Sequence, residues 1–133
     1  MNNIEEEKKI DNKITVNDYV SSYKEKINDI NNQIDEEKNK MKNLNDMEDI
    51  VVSLNKSVET CVGLLRESMQ GNNINNKLDS IEESNTINLN KVIGNIDIKR
   101  DDVKNNLFKL NNDKDNIEEE FRKNSNNITK EGE

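Results

Sequence analysis

Cys61 is the only thiol in the 133 residues, and histidine is absent. A cysteine becomes a nucleophile when a base or a cationic neighbour holds it as thiolate. Cys61 has no cationic residue on its own helical face, so its surroundings predict a small buried hydrophobe. A single thiol also rules out an internal disulfide. Without His there is no His-based triad or dyad and no imidazole ligand for a metal. The run Asn112-Asp113-Lys114-Asp115-Asn116-Ile117-Glu118 has the oxygen donors of a calcium loop but lacks its glycine and its twelve-residue spacing. It predicts a solvated helical face. Gly63, Gly71 and Gly94 form no phosphate-cradling pattern. Asn55-Lys56-Ser57 and Asn127-Ile128-Thr129 fit the N-glycosylation acceptor, which chance supplies readily when 27 of 133 residues are Asn. No catalytic, cofactor-binding or metal-binding set can be assembled. The expectation is a protein that is not an enzyme and carries no cofactor.

The elements that would position these residues are helical. Steps of four and three from Val16 reach Val20, Tyr23, Ile27, Ile30, Ile34, Glu37, Met41, Leu44, Glu48, Val51, Asn55, Val58, Val62, Leu65 and Met69. Thirteen of these sixteen positions are apolar, and a 3.5-residue repeat keeps one seam of a helix against a partner helix. A strand, with its period of two, cannot produce that pattern. The chain has no Pro to interrupt it. Asn17 and Asp18 supply an N-cap and first turn, and Glu36 with Lys40 is an i,i+4 pair in the favourable orientation. Helix 1 is therefore expected over about 16–70, after a polar, frayed lead-in at 1–15.

Gly71-Asn72-Asn73 reads as the stop, with Gly71 as a left-handed C′ residue and Asn73 as the next N-cap. A weaker seam follows through Ile74, Leu78, Ile81, Leu89, Val92, Ile96, Val103, Leu107, Leu110, Ile117 and Phe121. Helix 2 is expected over about 74–123, with a kink or break near Ser84-Asn85-Thr86 or Gly94-Asn95, and a disordered tail at 124–133. A rival assignment makes 71–86 a loop. Two near-equal helices joined by a short turn pack side by side, so the expected fold is all-α, a long antiparallel two-helix hairpin of coiled-coil type. Keeping Gly71 helical would instead give one continuous parallel coiled coil.

With 30% apolar and 3% aromatic residues, a sizeable globular core is not expected. The net charge of −8 argues against nucleic acid or an anionic membrane as the partner. The start, MNNIEEEKK, has no apolar h-region, and no apolar run reaches membrane-spanning length. A cytoplasmic protein is expected, with export that needs no cleaved signal as a further route.

Helix 1 has more apolar residues than one seam can use. With the seam at a and d, Met47, Ile50, Leu54, Cys61 and Leu64 fall on c and g, interrupted by Ser57. The hairpin sets this stripe opposite roughly 80–97, where Ile87 and Ile93 are also surplus. A contiguous exposed apolar stripe marks an interaction site, so this end is expected to dock onto further helices. Thickening of the hairpin's own core, or a homodimer, is the alternative use.

The turn at Met69-Gln70-Gly71, followed by Ile74 and Leu78, brings a resemblance into view. A helical hairpin of about a hundred residues with an apolar-x-Gly turn resembles the WXG-type proteins of bacterial type VII secretion. The long charged first helix looks most like the YwqH-like members found with LXG toxins. Met69 stands where that family has Trp. Phe121 is followed four residues on by Ser125, so the family's export signal has no match near the C-terminus. The resemblance implies a protein partner, the helical domain of a larger secreted or toxin-like protein, with this chain as its targeting or chaperone-like subunit. It adds Met69 and Gly71 to the partner-binding set. A paralogous small helical protein or a second copy is a further candidate partner. The alternative function is a self-assembling coiled-coil scaffold.

Overall fold

The computed structural model describes the backbone of residues 2–69 and 71–131 and the side chains of 16–69 and 71–126. The chain is all-α: α1 spans Asn2–Ser68 and α2 spans Asn72–Glu131, with no strand among the described residues. It is a helical hairpin. The limits expected from periodicity, 16 and 123, lie inside these helices. The expected last residue of helix 1, Gln70, lies outside the described residues, as do Gly132 and Glu133 of the expected tail.

The turn comes earlier than expected, with α2 starting at Asn72 and not at 74, and it is built differently. Gly71 does not adopt a positive φ, so it is not a left-handed C′ residue. Its carbonyl instead accepts from Asn75 N–H at 3.1 Å, which makes it the N-cap of α2 in place of Asn73. Met69 N–H still donates to the Leu65 carbonyl at 2.8 Å, so α1 winds down immediately before the turn. Residues 71–86 are not a loop, and α2 runs unbroken through Ser84-Asn85-Thr86 and Gly94-Asn95. Asn disfavours helix by bonding to its own backbone. Asn85 is diverted from that, because its side-chain amide donates to the side-chain Oδ1 of Asn55 on α1.

Backbone contacts divide the chain into two units, Met1–Glu37 with Asn106–Glu133 (unit 1) and Lys38–Asn105 (unit 2). In unit 1, Ile30 and Ile34 are the buried apolar residues of α1, and Leu107, Leu110, Ile117 and Phe121 of α2 are half-buried. Phe121 stacks on Tyr23 with ring centres 3.9 Å apart and on Tyr19 at 5.8 Å. Asn124 donates to the Tyr19 hydroxyl oxygen at 2.8 Å. In unit 2 the buried apolar residues are Leu44 and Val62 from α1 and Leu78, Ile96 and Val103 from α2.

A two-helix layer has one interface, so each seam residue is covered from one direction. Accordingly no side chain among the described residues is fully buried. The α1 seam has its inner positions where the heptads put them as far as Val62; beyond it the predicted members Leu65 and Met69 are 40% and 49% exposed, because the interface ends at the turn. In α2 the predicted seam members Ile81 and Val92 are 48% and 40% exposed, while Glu82, Asn85, Ile93, Arg100 and Lys114 are half-buried. Several of these polar residues have α1 partners, which an apolar count cannot see.

Candidate protein-docking face

Polar seam positions are matched across the interface within each unit. In unit 1, buried Glu37 accepts from Asn106 Nδ2 at 3.3 Å. In unit 2, Arg100 reaches Glu48 at 2.7 Å and donates to Asn45 Oδ1 at 3.2 Å, with Asp97 of its own helix at 3.0 Å. Near the turn, Arg66 pairs with Asp79 at 2.6 Å and Glu82 at 3.2 Å. The hydrogen bond that Arg66 donates to Asp79, chiefly, and the Glu82 charge raise the Arg66 pKa against the opposing effect of desolvation. Its charge is therefore fixed at any working pH.

These pairs bridge the two helices at the edge of their interface and leave the c/g stripe outside it. Met47, Ile50, Leu54 and Leu64 are between 53% and 61% exposed. Cys61 is exposed as a free thiol, contrary to the burial expected for it, because no third helix covers its face. Ser57 interrupts the stripe, but its hydroxyl donates to the Ser53 carbonyl at 3.1 Å within α1. Thr60 does the same to Lys56 at 2.9 Å. Both hydroxyls are satisfied locally, so an apolar partner could cover them without leaving a donor stranded.

The stripe continues onto α2 through a groove of about 300 Å³ lined by Met47, Ile50, Val51, Val92, Ile96 and Lys99, among others. Of the other expected partner-binding residues, Ile87 and Met69 are exposed large apolar side chains and Gly71 is exposed at the turn. Ile93 differs: it is half-buried. Periodicity marked it as surplus because Val92, one residue earlier, was given its place in the seam.

A polar groove of about 310 Å³ in unit 1, lined by Gln33, Glu36, Glu37, Asn106, Lys109, Leu110 and Asp113, brings carboxylates and a lysine together. Among the described residues no three His, Cys, Asp or Glu side chains are grouped to hold a metal ion. Asn112–Glu118 lies within continuous α2 helix, and an EF-hand ligand set needs a loop there. No helix of the described residues is long and apolar enough to cross a membrane. The Asn127-Ile128-Thr129 motif lies outside the residues with described side chains.

Unit 2 is close to neutral, with 10 Lys/Arg against 11 Asp/Glu, although the whole chain carries −8. The apolar face is therefore set in the part of the chain with little net charge to repel a partner. No family model, no curated protein and no solved structure matches this chain.

Proposed function

We propose that this protein is a non-catalytic helical binding module that docks, through the c/g face of unit 2, onto helices of a larger protein. Following the resemblance to WXG-type hairpins, the partner is the helical domain of a type VII secretion substrate of the LXG class, and the chain serves as its targeting or chaperone-like subunit. The observation that carries the docking role is the exposure of Met47, Ile50, Leu54 and Leu64 in one stripe. Fully burying such a side chain is worth about 1.5–3 kcal/mol. A stripe of four left half-covered or less is a substantial unused driving force for association, and a groove continues it onto α2.

The test is co-expression with a larger LXG-type protein encoded beside it, followed by purification of the complex. A stable hetero-complex is expected, lost on Leu54→Asp with Leu64→Asp while the free hairpin keeps its helicity. A complex that survives both substitutions would remove the face from the proposal. Failure to bind any such neighbour, with a discrete homo-oligomer formed instead, would favour the scaffold.

A further inference from the structure

We infer that the polar residues inside the helix interface select the single-chain hairpin and reject the parallel, self-paired coiled coil that the apolar heptads would also allow. This inference is independent of the docking role. Leu, Ile and Val at a and d stabilise many pairings about equally, whereas a polar residue at an inner position is tolerated only opposite a suitable partner.

The α1 seam has three polar members, Glu37, Glu48 and Asn55. Each meets a complementary group from α2: Asn106 for Glu37 in unit 1, and Arg100 for Glu48 and Asn85 for Asn55 in unit 2. In a parallel self-paired coil each inner residue lies beside its own copy. Glu37 would face Glu37, Glu48 would face Glu48 and Arg100 would face Arg100, all like-charged and partly desolvated. Slipping the hairpin by one heptad is rejected too. It would bring Glu48 opposite Ile93 or Leu107, and Asn55 opposite Leu78 or Val92.

The stability surrendered for this is visible at Arg100. Its side chain is 20% exposed, and its Nε is buried without a hydrogen-bond partner among the described residues. A Leu there would pack without that penalty, but it would accept almost any apolar neighbour.

The test reads chain geometry directly. In a Cys61→Ser background, donor and acceptor dyes are placed at Lys24→Cys and Arg122→Cys, exposed positions beside the Tyr23–Phe121 stack. Trace labelled chain is then diluted into increasing unlabelled chain of the same sequence. With the natural interior, intrachain energy transfer should stay high at every concentration, because association through the outer face leaves the hairpin intact. With Glu48→Leu, Arg100→Leu, Asn55→Leu and Asn85→Leu together, transfer should fall as unlabelled chain is added and extended pairs form. Unchanged transfer in that variant overturns the inference. If the variant loses its helicity, the charge swap decides: Arg100→Glu alone should lose transfer, and Glu48→Arg with Arg100→Glu should restore it. A swap no better than the single substitution also overturns it.

Discussion

The Arg100 guanidinium of α2 lies 2.7 Å from the Glu48 carboxylate of α1, and both side chains keep partial access to water, 20% and 32% respectively. Neither residue could occupy an inner position alone. An ion pair of this kind contributes modest net stability, yet removing one member leaves the other charged and poorly solvated. Arg100→Met should therefore lower stability by about 1–3 kcal/mol. Glu48→Leu with Arg100→Met should recover most of that loss. Thermal unfolding followed by circular dichroism would measure both. Equal destabilisation by the single and double variants would show that the pair is not coupled.

The aromatic contact of unit 1 ties the two helices together where apolar packing is thin. Phe121 stacks on both Tyr23 and Tyr19, and it is half-buried. Full burial of such a ring makes its truncation cost about 3–5 kcal/mol, and partial burial lowers that figure. Phe121→Ala should cost about 1–2 kcal/mol. Amide exchange should speed up around residues 19–30 and 110–124, with protection of the Leu44–Val62 segment little changed. Uniform loss of protection along both helices would show instead that the chain opens as one cooperative unit.

The outer stripe makes the opposite prediction. Leu54 and Leu64 are 61% and 57% exposed, so Leu54→Asp with Leu64→Asp should shift the stability of the free chain by no more than about 0.5 kcal/mol per site. Urea unfolding of the purified chain is the check. A loss of several kcal/mol would mean that the stripe belongs to the chain's own core, and the docking argument would fail with it.

The α1 seam as far as Val62 and the outer stripe were both legible in the sequence, because a two-helix fold has one interface and a strict heptad aims one set of residues at it. The stripe's exposure follows from the same geometry, since nothing in two helices can cover both sides. The α2 seam was less legible. Counting apolar residues placed Ile81 and Val92 inside and passed over Glu82, Asn85 and Arg100. Those polar residues are inner because α1 offers Arg66, Asn55 and Glu48 as partners. A matched pair is a property of two helices at a particular register, and neither helix shows it alone. The turn failed for a local reason. Gly71 in a Gly-Asn-Asn run fits both a left-handed stop and an N-cap, and only the backbone conformation separates them.

That ambiguity yields a last prediction, because Gly63, Gly71 and Gly94 should respond differently to alanine. Gly63 and Gly94 lie inside helices with ordinary φ, and an added Cβ would meet nothing within 4 Å. Alanine there removes the backbone entropy that glycine loses on folding, so Gly63→Ala and Gly94→Ala should each stabilise the chain by about 0.5–1 kcal/mol. An added Cβ at Gly71 also has open space. There, however, the residue caps α2, and alanine is a poor N-cap. Gly71→Ala should be neutral or destabilising by less than about 1 kcal/mol, and Gly71→Ser should gain a few tenths by accepting from the first-turn N–H groups. A left-handed Gly71 would give another outcome, with alanine and serine both destabilising by about 1 kcal/mol or more. Melting temperatures of the four variants, measured side by side, separate the two turn geometries by the sign of the serine effect.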